Sequence, residues 1–263
     1  MHTTLYFYTA TGNSLVLART VAAQLGDAEV VPIARFRTAR TAPKSARVGI
    51  LFPIHAWGPP RTVSEFVQNL DLADVRYTFA IASCGGTAGG ALPNLRKALR
   101  KNGGELHAGF IVRSQGYMAS TGKENPMIAM VRGFSGKPFA MDHERLPEIL
   151  EVVKNERRIG PERSALVGSM LGNLFHSKAE TAFASLDASY VVGESCKSCG
   201  TCGRICPRGN VFLEDGKPAW HHDCDFCGAC ATWCPNQAIG MKVTPASARG
   251  HNPQVKAVDL IWA

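Results

Sequence analysis

Eight of the chain's nine cysteines fall between positions 196 and 234, and their spacing points to chemistry before anything else does. Cys196, Cys199, Cys202 and Cys206 precede Pro207 in the order C-x2-C-x2-C-x3-C-P. Cys224, Cys227, Cys230 and Cys234 precede Pro235 in the same order, each 28 residues after its counterpart. Gly200 matches Gly228 and Val211 matches Ile239, so the segment is an internal repeat, and two similar lobes about a pseudo-twofold axis are expected. Three thiolates at i, i+3 and i+6 on a tight turn can each reach a different iron of one cubane. The fourth, on a helical turn that opens with proline, points away and serves the other cubane. Two [4Fe–4S] clusters are therefore expected. Cys196, Cys199, Cys202 and Cys234 hold one; Cys224, Cys227, Cys230 and Cys206 hold the other. Structural zinc asks instead for two C-x2-C pairs across a longer loop, and disulfides at this density would be strained. Phe226 and Trp233 lie inside the second motif, either shielding a cluster or packing in the core. His221 and His222 read as a solvated hairpin tip.

A second constellation sits at the other end of the chain. After the apolar run LYFY come Thr9, Ala10, Thr11, Gly12, Asn13 and Ser14, and then a helical pattern begins. Backbone N–H groups at a helix N-terminus, joined by several hydroxyls, suit a phosphate dianion. No lysine is present, so this is not the GxxxxGK[ST] nucleotide loop. Neutral donors fit a flavin mononucleotide (FMN) phosphate; helix N-capping by Thr or Asn is the alternative. Two further loops follow apolar runs: Pro53, Ile54, His55, Ala56, Trp57 and Gly58, then Ser83, Cys84, Gly85, Gly86, Gly89 and Gly90. His55 and Trp57 are candidates to stack on a flavin ring, and the glycines would let backbone approach it. Cys84 reads as a packed or ring-lining thiol, and no catalytic acid, base or nucleophile stands out.

The elements that must position these residues alternate. Short apolar runs at 5–9, 28–33, 47–53, 77–83 and 106–112 read as buried strands. Helical patterns fill 13–25, 63–70, 92–99 and 145–159, and 161–184 looks helical. The expectation is an α/β fold: a doubly wound parallel sheet, with a small α+β cysteine domain at the C-terminus. The expected boundaries are 1–184, 185–245 and a tail, 246–263. Residues 34–47, with Arg35, Arg37, Arg40, Lys44 and Arg47, read as a solvated basic loop. Residues 114–143 lose all periodicity, as functional loops often do.

Composition bounds the rest. The chain has 263 residues, 45% hydrophobic, which excludes disorder, and no run of about 18 apolar residues predicts a membrane span. The start MHTTLYFYTATGNS has no basic n-region or cleavage site, so a cytoplasmic protein is expected. The net charge of +8 hints at nucleic acid, but basic residues without interleaved aromatics argue against it. Two oxidised cubanes at roughly −2 each and a phosphate at about −2 would lower that charge to about +2.

Thr-x-Thr-Gly-Asn-Ser after a first strand resembles the flavodoxin phosphate loop, and the duplicated cysteine pattern resembles bacterial two-cluster ferredoxins. In this order the two are similar to the prokaryotic flavodoxin–ferredoxin fusion family. That resemblance implies sheet order 2-1-3-4-5, FMN on the three loops, and low-potential electron transfer with redox protein partners. His55 replaces a tyrosine common in such proteins, and the basic first part departs from typically acidic flavodoxins. A flavin-dependent reductase with internal clusters and a flavin-free redox sensor are the rival expectations.

Overall fold

The computed structural model describes residues 2–36, 39–85, 87–114, 144–163, 166–242 and 250–261, with side chains of 166–174 excepted. Gly86 and nearly all of the 114–143 loop lie outside the described residues.

Five strands alternate with helices as the apolar runs require: β1 (Thr3–Phe7), α1 (Asn13–Leu25), β2 (Ala28–Pro32), β3 (Arg47–Pro53), α2 (Arg61–Asn69), β4 (Tyr77–Cys84), α3 (Ala91–Lys101) and β5 (Ala108–Arg113). After α4 (Leu146–Lys154), the two-residue β6 (Gly160–Pro161) adds an edge strand too short to show in the sequence. All pairings are parallel and the order is β2-β1-β3-β4-β5-β6, the flavodoxin-like doubly wound arrangement.

Alternation along the strands sorts the core into two faces. Leu5, Phe7, Phe79, Ile81 and Phe110 meet α1 and α4 on one face. Tyr6, Tyr8, Ile50, Phe52 and Ala80 meet α2 and α3 on the other. Because β1 and β3 are neighbours while their helices leave on opposite faces, the loops after them open a crevice at the strand carboxyl ends.

One expectation about the basic loop fails. Arg47 opens β3 and is buried: its Nε donates to Thr3 Oγ1 at 2.8 Å, and Nη1 to the Val153 carbonyl at 3.3 Å. It ties β1 and β3 to α4 rather than meeting solvent.

The helix α5 (Leu166–Phe183) leads to the cysteine region: β7 (Tyr190–Val192), α6 (Thr201–Ile205), β8 (Val211–Glu214), β9 (Lys217–Trp220), α7 (Ala229–Thr232) and β10 (Ile239–Met241). β7 pairs antiparallel with β10, and β8 with β9. The sequence repeat maps β7 onto β9 and β8 onto β10, so the pairing obeys the pseudo-twofold. Backbone geometry repeats too: Ser198 and Phe226, Gly200 and Gly228, and Gly209 and Gln237 all take positive φ.

The hairpin tip is Asp215–Gly216, not the histidine pair. His221 stacks on Phe212 at 4.3 Å between centroids, and His222 Nδ1 lies 2.6 Å from the buried Asp187 carboxylate.

Candidate functional site

Cysteines of the two motifs lie near one another. The Cys202 thiol is pushed up to about 11, first by burial, and it senses both Cys199 of its own motif and Cys234 of the other. Cys227 is pushed up to about 12 by burial and then by Cys206; Cys230 is also raised, first by burial and then by Cys206, Cys227, Cys224 and Cys202. Matching backbone N–H groups point at the fourth sulfurs: Asn210 N lies 3.3 Å from Cys206 Sγ, and Ala238 N lies 3.2 Å from Cys234 Sγ. Such N–H donors stabilise thiolate ligands. Buried neutral thiols are poor nucleophiles and need a metal to ionise them. Among the described residues, no three His, Cys, Asp or Glu side chains form a group for a single metal ion. Cys199 is exposed, whereas Cys202 and Cys230 are buried.

The three strand-end loops lie at the carboxyl ends of β1, β3 and β4. In the first, Thr9 Oγ1 accepts the Gly12 N–H at 3.0 Å, which draws the loop into a turn before α1. Ser14 Oγ is buried without a hydrogen-bond partner. An unpartnered hydroxyl at a helix N-terminus fits a phosphate.

In the second loop, His55 and Gly58 exchange backbone hydrogen bonds of 2.9 Å around Ala56 (φ 43°) and Trp57 (φ 67°). Two non-glycine residues in the left-handed region are strained, a feature common at ligand-binding loops. The third loop locks against the second: Gly90 N donates to the Trp57 carbonyl at 2.9 Å, and Ile54 N to the Ser83 carbonyl at 2.9 Å. A Cβ at Gly89 would lie 2.4 Å from Trp57 Cβ. Pro53 ends β3, Cys84 ends β4 as a buried thiol, and Gly85 follows it in a bend.

Residues far away in sequence complete this end of the sheet. His176 of α5 lies flat against Gly58, where a Cβ would come within 2.2 Å of its ring; Phe175 approaches Trp57 at 5.9 Å between centroids. His55 meets the Tyr8 ring edge-on at 5.9 Å. Burial holds the His55 pKa below its ordinary value, and His176 adds to this while Asp225 opposes it. Tyr8 is raised by burial, then by Asp225 and Cys227. The Tyr8 hydroxyl, His176 Nδ1 and Asp225 Oδ1 are all buried without hydrogen-bond partners. Buried polar atoms in that condition are uncommon in folded proteins.

The second cysteine motif seats directly on these loops. The Trp233 indole donates to the Ala10 carbonyl at 2.7 Å, and Thr62 Oγ1 donates to Asp225 Oδ2 at 2.6 Å. Cys227 packs against the apolar cores of both sheet faces. Arg208 bridges Glu65 of α2 (3.1 Å) and Asp223 (2.9 Å), and Arg61 also reaches Asp223.

The tail joins in. Asn252 N donates to the Thr11 carbonyl at 2.8 Å, its amide donates to Asn13 Oδ1 at 3.0 Å, and Val255 packs where a Gly12 Cβ would be 2.9 Å away. His176, Tyr8, Asp225, Asn252 and Val255 were not readable as site residues. Only the apolar character of Val255 and Leu260 hinted that the tail docks.

The fold and site define an α/β sheet whose strand-end loops are capped by a duplicated cysteine lobe. Neither a protein-family model nor a curated protein matches this chain. Among the solved structures it is similar to are three with TM-scores under 0.4. A flavoprotein from Bacteroides uniformis is 20% identical, covering 43% of this chain and 90% of that one, at a TM-score of 0.34. A short-chain flavodoxin associated with a bacterial microcompartment is 16% identical, over 59% and 98%, at 0.36. An FMN-dependent NADH-azoreductase from Bacillus anthracis is 13% identical, over 59% and 99%, at 0.32. Likeness at this level says nothing about function. Among the described residues no helix is long and apolar enough to cross a membrane.

Proposed function

We propose that this chain is an electron-transfer protein of the cytoplasm, with FMN on the three strand-end loops and two [4Fe–4S] clusters on the crossed cysteine quartets. The observation that carries the reading is the seat of the second motif. Trp233 meets the first loop at Ala10 and Asp225 meets Thr62 at the start of α2, which supports a Cys224, Cys227, Cys230 and Cys206 cluster beside the flavin. FMN would supply a one- or two-electron couple and the clusters one-electron couples, on the order of −400 mV.

The chain's own residues divide the remaining work. Thr9, Thr11, Asn13 and Ser14 supply neutral donors for a phosphate, and the Ala56–Trp57 turn with Gly58, Gly89 and Gly90 brings backbone close to a ring. Tyr8, Trp233 and Val255 keep water out. The quartet of Cys196, Cys199, Cys202 and Cys234 includes the exposed Cys199, so redox protein partners, a donor and an acceptor, would meet the molecule there.

Anaerobically purified protein should carry about eight irons by two-cubane counting and about one flavin per chain. Fewer than about six irons in fully loaded protein sinks the two-cluster assignment. The closure of Asn252 and Val255 over Gly12 favours one competing reading, a redox sensor without flavin. Heat-released flavin at near one per chain would exclude it.

A further inference from the structure

The two cysteine motifs repeat in spacing but not in charge. At the 28-residue offset Lys197 corresponds to Asp225, Thr201 to Ala229 and Arg204 to Thr232. The first motif therefore carries two cations and a hydroxyl where the second carries an anion, a methyl and a neutral side chain. Lys197 and Arg204 are exposed. Arg204 Nη2 donates to the Cys199 carbonyl at 3.3 Å, and the Thr201 hydroxyl lies 3.4 Å from Cys199 Sγ. Hydrogen bonding from Thr201 draws the Cys199 thiol down, and the Arg204 cation adds to this.

Asp225 has the opposite setting. It is only 4% exposed; Thr62 Oγ1 donates to its Oδ2 at 2.6 Å, and Oδ1 has no hydrogen-bond partner. Arg208 senses this carboxylate, but Glu65 and Asp223 engage the guanidinium directly. Burial raises the Cys206 and Cys227 thiols first, and Asp225 raises both further. One contact runs the other way: the Phe226 N–H points at Cys224 Sγ at 3.1 Å. A neutral dipole weighs less than a full charge in a buried setting.

On reduction a cubane takes up one electron and gains one negative charge. Nearby cations and hydrogen bonds to sulfur favour that charge, whereas a buried anion opposes it. We propose, resting on the two-cluster reading, that the two clusters differ in potential. The quartet of Cys196, Cys199, Cys202 and Cys234 is reduced first, and Asp225 holds the quartet of Cys224, Cys227, Cys230 and Cys206 at the lower potential. A single electron given to the pair then settles beside the exposed Cys199, where a partner protein can reach it.

The test is an EPR-monitored titration of the anaerobically purified full chain with dithionite as reductant and redox mediators, with iron and flavin measured on the same samples. The clusters should reduce in two one-electron steps at least about tenfold apart in equilibrium constant, or about 59 mV. Asp225→Asn, whose amide oxygen can still accept from Thr62, should raise the lower step by about tenfold and leave the upper one in place. Thr201→Ala/Arg204→Thr installs the residues of the second motif at exposed or half-buried positions, and should lower the upper step alone. It reads the same effect even where Asp225→Asn does not fold. Coincident steps in protein with about eight irons, or variants whose steps do not move as stated, would overturn the proposal and leave the two-cluster reading standing. Fewer than about six irons in fully loaded protein would sink that reading and the proposal together.

Discussion

At the scale of single residues, the cysteines are inequivalent in a way the crossed pairing makes testable. Cys234 belongs by sequence to the second motif, yet it neighbours the Cys202 thiol of the first. Cys234→Ser should therefore damage the cluster on Cys196, Cys199 and Cys202 more than the nearer one, read by iron content and EPR; equal or reversed loss rejects crossed ligation. Gly58 makes a second case. A methyl there would enter the space of the His176 ring, 2.2 Å away. Gly58→Ala should cost about 1–3 kcal/mol in urea unfolding through overpacking. Truncating the ring as well, in Gly58→Ala/His176→Ala, should recover part of that loss relative to His176→Ala alone. Additive costs would show that the two residues do not touch.

At the scale of elements, Arg208, whose side chain is 11% exposed, joins Thr62–Asp225 and Arg61–Asp223 in tying α2 to the cysteine lobe. Burial works against its charge, but Glu65 and Asp223 outweigh that and raise its pKa further. Arg208→Ala would leave those two carboxylates without their best partner. Because both are partly solvated, the expected cost is about 1–2 kcal/mol, well below that of a fully buried pair. Differential scanning calorimetry should show the cysteine lobe melting earlier and separately from the sheet. A single unshifted transition would mean that apolar contacts through Trp233 and Cys227 hold the lobe without help.

At the scale of the whole molecule, stability should depend on pH through histidines kept neutral by the fold. Burial lowers His107, and the Arg158 cation adds to this. The Thr78 backbone N–H also donates to His107 Nδ1 at 2.9 Å, which requires an unprotonated nitrogen. The unfolded chain takes up that proton near pH 6.5, before the folded chain does. The His107 contribution is thus complete above about pH 6.5 and is lost as pH falls toward the depressed folded value. His107→Gln, whose amide oxygen can still accept the Thr78 N–H, should flatten the fall in urea midpoint between about pH 7.5 and 5.5. An unchanged slope would place the titration elsewhere, with His55 the next group to examine.

What could be read from the sequence was whatever is local. Strand and helix positions from Thr3 to Arg113 follow from apolar period and glycine stops, because each element's own residues choose its face. The 28-residue repeat and its cysteine spacing are likewise local, and the matching positive-φ positions are their backbone counterpart. Tertiary structure decided the rest, because proximity between distant segments leaves no periodic trace. It placed Asn252 and Val255 over Gly12, His176 against Gly58, and Arg47 in the core rather than in solvent. It also set the cysteine lobe against the first loop and α2, through a tryptophan and an aspartate whose neighbours in sequence give no sign of the residues they would meet.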